Sequence, residues 1–550
     1  MAKEKKGFWS LVNKQVFFPP AILLTVGVIL GVVNPEGFGK ASSAALDFTL
    51  KYFSWAYALG AIILTLFCFW AGFSKYGKIK LGGPKAKPTM NRFTWFAVTF
   101  TSSLAIGISF YCVAEPMMHY MNPPTFLGIA GKSVESAAVA LRYTYLHWAF
   151  IPFAIYTSAG VGCAFVFYNA RRAFKVSSSL YPLIGDKADG LWGNLVDALA
   201  IFAMVGGIGT SFGLGTMQIA GGMDFLWGVK SGAGAWTVII AVMVVIYTLS
   251  ACTGIHKGIK YVSTANMYMY FILLGAAFLF GPKIAILENT ITAVGDYLGN
   301  LIPMSFNLDP IKQTGWTKDW TMFYWAWWLA FAPLTGLFMV KLSKGRTIRE
   351  FVTMNLVAPA TFVIVWFGTF GSASIFMDHF QNTGIGAIIT EHGVDVALFA
   401  FFQKLPLAPL TCTIGLLVVA ASFITQAEAV SITLSTMTTV GFDSAGNEKN
   451  PPRVVTIFWG VLMGAIALIL LLTGGAKALQ TSVIVCGLPI IVLQLVMAVA
   501  HVKAMKNAQE LDKVGTFDEG RNPFVDDPMF DESSNLEAAV SSEIAADKIK

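Results

Sequence analysis

Charge is what this 550-residue chain has least of: Lys, Arg, Asp and Glu make up 13% of it, against 55% hydrophobic residues. That shortage excludes a soluble globular enzyme and leaves an integral membrane protein. Cysteine is also scarce. The six (Cys68, Cys112, Cys163, Cys252, Cys412, Cys486) sit inside apolar runs with no CxxC pair and no flanking His. Disulfides and a structural zinc are therefore not expected. No Walker loop, HExxH or GxSxG is present, and no carboxylate cluster falls within the apolar runs, so nothing supports an enzyme. No small-residue cleavage site ends the first apolar run before Asn34 and Pro35. The N-terminus therefore reads as a membrane helix and not as a signal peptide.

What is present is apolar length. Runs long enough to cross a hydrocarbon core of about 30 Å occur at 17–33, 53–73, 93–113, 147–168, 194–228, 234–255, 262–283, 319–341, 355–376, 407–438, 453–473 and 480–502. The pattern predicts twelve transmembrane helices in an all-α membrane fold, with 194–228 and 407–438 tilted or extending past the bilayer. Basic residues collect in alternate short loops: Lys75 to Arg92, Arg171 to Lys175, Lys257 and Lys260, Lys341 to Arg349, Lys503 and Lys506. The bias places both termini in the cytoplasm of a bacterial-type cell membrane. It also accounts for the net charge of +7, so no nucleic-acid partner is implied. Residues 286–303 carry Ile286, Ile291, Val294, Leu298 and Leu301 at helical intervals, which predicts a helix along the outer surface, with an ordinary amphipathic loop as the alternative. Past His501 the chain turns polar and acidic, a composition expected to be partly disordered.

Two spans contain residues that disfavour a helix. In the third, Ser102, Ser103 and Gly107 lie among β-branched residues; in the eighth, Pro333 removes a backbone hydrogen bond and Gly336 follows. Breaks five spans apart suit two inverted repeats whose discontinuous helices line a midplane site. The expected organisation is a tail (1–16), two peripheral helices (17–92), a first repeat (93–285), a surface connection (286–318), a second repeat (319–503) and an acidic tail (504–550).

Aromatics crowd these breaks. Trp148 precedes Pro152, Phe153 and Tyr156, and Trp325 to Trp328 precede Phe331. Phe153 and Tyr156 share a face, as do Trp325 and Trp328. A quaternary ammonium has no N–H to donate, so aromatic faces are what can hold it in a dry site, each worth about 2 kcal/mol when desolvated. Trp325 fits a membrane-interface belt equally well. Trp328 and Phe331 lie too deep for one.

The run FYWAWWLAFAPLTGLFMVKLSKGRTIREF (323–351) resembles the signature region of the betaine/choline/carnitine transporter family. SFYCVAEP (109–116), HWAFIPFAIY (147–156), SFGLG (211–215) and GIHKGIKYVSTANM (254–267) are similar to related segments. The resemblance implies a homotrimer of twelve-span protomers moving a quaternary-ammonium zwitterion such as glycine betaine, carnitine or a butyrobetaine-like compound by alternating access. It places the substrate cage on Trp148, Phe153, Tyr156 and Trp328, flanked by Trp327 and Phe331. Phe153 and Phe331 stand where similar betaine carriers have tryptophan. No cofactor or metal is implied beyond a coupling ion. For sodium, the resemblance points to Thr101, Leu104, Thr425 and Gln426 between spans three and ten. A second family site falls on Met204, Ile208 and Leu334, whose side chains carry no oxygen, and looks lost. Ion-independent exchangers of the family carry arginine and methionine where this chain has Asn266 and Thr335, so symport is favoured over exchange.

Other polar residues have plainer readings. Glu428 inside span ten is either a proton or ion-coupling group or a structural one. Glu115, His119 and Asn122 at the outer end of span three could form a metal or proton site, but their place at a loop favours a solvated face, and His147 reads as satisfying a backbone carbonyl. Arg346 and Arg349 follow from topology, with Glu350 as a candidate partner. A channel or receptor with an aromatic gate is the rival from another class.

Overall fold

The computed structural model describes residues 11–103, 105–253, 258–439, 451–517 and 523. Leu104, Lys257 and the acidic run from Asp518 lie outside the described residues, apart from Pro523. The described chain is all helical, as a membrane demands: backbone groups in hydrocarbon find partners only within a helix or a closed barrel. The main helices are α1 (Lys14–Val33), α2 (Pro35–Phe73), α3 (Arg92–Ser103), α4 (Ala105–Met121), α5 (Val134–Trp148), α6 (Phe150–Tyr168), α7 (Leu191–Trp227), α8 (Ala233–Thr253), α9 (Gly258–Phe280), α10 (Lys283–Ser305), α11 (Phe323–Lys341), α12 (Ala358–Gln381), α13 (Ala408–Met437) and α14 (Arg453–Lys506).

Among the described residues, ten helices are long and apolar enough to cross a membrane, eleven when α3 and α4 are taken as one bent span. The difference from twelve lies in α14, whose 54 residues are two helices joined across a kink at Gly475. There φ is 57°, a left-handed value that glycine adopts without steric cost. The long helices expected near 194–228 and 407–438 are present as α7 and α13.

α11 is the centre of the molecule. With the π-helical turn Lys318–Met322 that leads into it, its apolar stretch is completely buried, whereas only 28% of the corresponding stretch is buried in α1 and in α8. α6, α7 and α14 surround it. The outer helices turn apolar side chains such as Ile22, Val33, Val238 and Leu249 outward, as lipid-facing helices do. The expected surface segment 286–303 is helical, within α10. Its apolar residues divide: Ile286 and Tyr297 are buried, while Ile284, Leu287, Ile291, Leu298 and Ile302 are exposed.

The expected breaks are met unequally. α3 and α4 meet at a 69° bend across position 104. α11, by contrast, runs unbroken through Pro333 and Gly336. Gly336 serves contact and not breakage: a Cβ there would stand 2.5 Å from the backbone nitrogen of Gly160 on α6. A further interruption falls at Ala149 (φ −92°, ψ −119°), between α5 and α6. Pro152 explains its position, because a proline ring clashes with the carbonyl four residues back, here that of Trp148.

Candidate functional site

The interruption at Ala149 delivers Trp148 at the end of one helix and Phe153 and Tyr156 near the start of the next. All three converge on Trp328 of α11. Its ring lies 4.7 Å from Tyr156, 5.2 Å from Phe153 and 5.9 Å from Trp148, all tilted or edge-on. Tilted and edge-on pairs of this kind contribute about 0.5–1.5 kcal/mol each beyond area burial. Trp327 adds a wall, 6.2 Å from Trp148 at 81°.

Phe331 packs on α7, where a Cβ at Gly207 would stand 3.0 Å from its ring. Trp325 is fully buried, which removes the interface-belt reading.

Three aromatics that sequence reading did not single out complete the cluster. Tyr111 lies 5.6 Å from Trp148 and 5.4 Å from Tyr324. Phe367 of α12 stacks on Trp148 at 5.1 Å and 29°. Tyr324 stands four residues before Trp328 and Tyr111 four after Gly107, so helical spacing could have found both. Phe367 carries no such signal. Gly107 lets the bent α4 approach, since a Cβ there would stand 2.8 Å from the Trp148 ring. A cavity of about 240 Å³ opens beside Tyr111, lined also by Ala114, Met118, Asp319, Trp320 and Gln480.

Among the described residues, polar atoms at the cluster are left without protein partners. Trp327 Nε1, Trp328 Nε1 and Tyr156 Oη are buried and make no hydrogen bond. Unmet donors in a dry interior cost about 1–3 kcal/mol each, a cost that a carboxylate between them would offset. The ring faces suit a methylated cation and the N–H and O–H groups suit its anion.

The bend between α3 and α4 faces α13. Thr425 Oγ1 donates to the carbonyl of Thr101 at 3.1 Å and Gln426 Nε2 to that of Ser103 at 3.1 Å. Gln426 Oε1 and Ser102 Oγ are buried with no partner among the described residues. Oxygens of this hard type are the ligands a sodium ion takes. The second set offers none: Met204, Ile208 and Leu334 are buried, with no side-chain oxygen among them. Glu428, also on α13, is buried and accepts from Ser250 Oγ at 2.8 Å through Oε2, while Oε1 has no partner. Asn266 donates to Ser422 Oγ at 3.0 Å.

The outer polar group differs from its expected place. Asn122 is exposed, but Glu115 and His119 are fully buried. The apolar sequence around them carries them inward, and each other's hydrogen-bonding groups make that tolerable. His147 satisfies no backbone carbonyl; its Nδ1 lies 2.6 Å from Glu115 Oε1 and its Nε2 3.0 Å from Thr321 Oγ1. At the other end of the molecule Arg346 stands 3.6 Å from Glu350, while Arg349 donates to the carbonyl of Gly72.

Residues 15–510 match the model of the BCCT family, described as betaine/carnitine/choline family transporters. Glycine betaine transporter OpuD of Bacillus subtilis is 35% identical over 518 residues, covering 93% of this chain and 98% of its own. A probable glycine betaine transporter of Desulfitobacterium hafniense is 34% identical, covering 90% and 98%. An ectoine/hydroxyectoine transporter of Virgibacillus pantothenticus is 33% identical, covering 91% and 98%. The buried aromatic cluster, the multi-pass helical fold and this end-to-end similarity make the chain a member of the betaine/carnitine/choline transporter family, a transporter and not an enzyme.

Proposed function

We propose that this protein is a secondary active carrier of a quaternary-ammonium zwitterion, with glycine betaine the first candidate, working by alternating access with sodium symport. The observation that carries the reading is the convergence of Trp148, Phe153 and Tyr156 on Trp328 at 4.7–5.9 Å inside a completely buried span. The methylated nitrogen sits among these faces, with Trp327 beside them. Its carboxylate reaches the unpartnered donors of Trp327, Trp328 and Tyr156. Similarity to carriers of glycine betaine and of ectoine/hydroxyectoine supports a small zwitterion as substrate.

Sodium binds at the α3–α4 bend, with Thr425, Gln426 and the carbonyl of Thr101 as ligands; Leu104, the fourth residue of the expected set, lies outside the described residues. Rotation of the Gln426 amide by half a turn would present its oxygen to the ion in place of its N–H₂. Asn266 and Thr335, standing where exchangers of the family carry arginine and methionine, support symport over exchange. The remaining features follow the sequence expectations: inverted repeats over 93–285 and 319–503, twelve spans, cytoplasmic termini and a homotrimer. The exposed apolar row on α10 supports the trimer as a surface for protomer contact.

Uptake of labelled glycine betaine and carnitine into proteoliposomes tests the proposal. Concentrative betaine uptake driven by an inward sodium gradient into empty vesicles is expected. Uptake only into substrate-loaded vesicles would show exchange, and flux without saturable counterflow would show a channel.

A further inference from the structure

Of the three tryptophans around the cage, one differs in its N–H. Trp327 and Trp328 leave theirs without a protein partner, whereas Trp148 donates its own to Glu115 Oε2 at 2.5 Å. The other oxygen of the same carboxylate lies 2.6 Å from His147 Nδ1 and 3.1 Å from His119 Nε2. All four side chains are completely shielded from solvent. An ionised carboxylate only accepts hydrogen bonds, so both ring nitrogens carry hydrogen; neutral His147 then accepts the Thr321 hydroxyl at Nε2. Three donors from three side chains therefore meet on one carboxylate.

We propose that Glu115 is a positioning and specificity residue of the transporter, acting on substrate through Trp148. This rests on the reading of Trp148 as a cage wall. Phe367 stacks on one face of Trp148, and the absence of a side chain at Gly107 admits its far edge. The remaining freedom is rotation of the indole about its attachment, and a charge-assisted hydrogen bond at Nε1 removes it.

Two chemical consequences follow. A negative charge hydrogen-bonded to the indole N–H pushes electron density toward the ring, and a more electron-rich face attracts a methylated cation more strongly. The bond also occupies the Trp148 N–H, so the substrate carboxylate is left with the donors on the Trp327 and Trp328 side. Glu115 thus sets which end of a zwitterion lies against Trp148. His119 and His147 hold the carboxylate in place and offset the cost of burying it.

The test is equilibrium binding of labelled glycine betaine to the purified full-length protein, arranged as a double-mutant cycle. Glu115→Met keeps the shape but has no oxygen, and is expected to raise Kd about tenfold or more, the size of one lost charge-assisted bond. Glu115→Gln retains an oxygen for the indole N–H, and about a threefold rise is expected. Trp148→Phe keeps a ring but has no N–H. In that background Glu115→Met should change Kd by less than about twofold, because its point of action is gone. Undiminished loss in the Trp148→Phe background, or unchanged binding in Glu115→Met alone, overturns the proposal. If Glu115→Met yields no monodisperse protein, the cycle is run with Glu115→Gln, whose smaller loss must likewise vanish. Trp328→Ala in the same assay separates the two levels. Unchanged binding there removes the cage itself, whereas lost binding there with an additive cycle removes only the role of Glu115.

Discussion

The third and eighth spans both hold residues that disfavour a helix, yet only the third is bent. α3 and α4 meet at 69° without a proline at the bend, and α11 carries Pro333 and Gly336 without interruption. The difference lies in what surrounds each. At the bend, Thr425 and Gln426 of α13 donate to the carbonyls of Thr101 and Ser103, so polar groups freed from the helix have partners. The apolar stretch of α11 is completely buried, and Gly336 is used to bring α6 within backbone contact. A residue that weakens a helix locally produces a break only where something else receives the freed groups.

The largest effect expected from that contrast is at Gly336. A methyl group there meets backbone atoms of Ala159 and Gly160 that have nowhere to go. Gly336→Ala should destabilise the protein by about 3 kcal/mol, seen as a lower Tm in detergent; an unchanged Tm would mean the two helices are free to part. Next comes the ring that the unbroken helix presents. Trp328→Ala should weaken betaine binding by at least about tenfold, the loss of one desolvated face worth about 2 kcal/mol; unchanged binding would contradict the cage.

On the bent side, Thr425→Ala removes one hard ligand. Half-saturation by sodium should rise about tenfold while betaine affinity at saturating sodium stays within about twofold. Equal loss of both would place Thr425 in the substrate site. The smallest effect is expected at Pro333. Since the helix already runs through it, Pro333→Ala restores a backbone donor and should leave Tm unchanged or raised, by less than about 1 kcal/mol. A marked fall would show that the proline is required where it stands.

The spans, the surface helix and the shared face of Phe153 and Tyr156 were legible because hydropathy length and helical spacing are local properties. Trp328 was legible for the same reason, through its depth past Asp319. The contact of Phe331 with α7 at Gly207 was not legible, because spacing names a face of one helix and not the helix it will meet. Glu115 and His119 were read as solvated because they precede a loop. Their burial depends on His147, 28 residues beyond His119, and on Trp148, pairings that no periodicity announces. Pro333 was read as a break because propensity says nothing about the neighbours that hold a helix together.

The central claim is that aromatic faces around Trp328 hold a cation and not merely an apolar group. Glycine betaine and 3,3-dimethylbutanoate have the same shape and the same carboxylate, and differ in a charged nitrogen against a neutral carbon. Equilibrium binding of both to the purified protein isolates that charge. The account predicts that the carbon analogue binds at least about tenfold more weakly, as expected when cation–π attraction worth about 2 kcal/mol is lost. Equal affinities would contradict it, and would leave the cluster as a hydrophobic pocket.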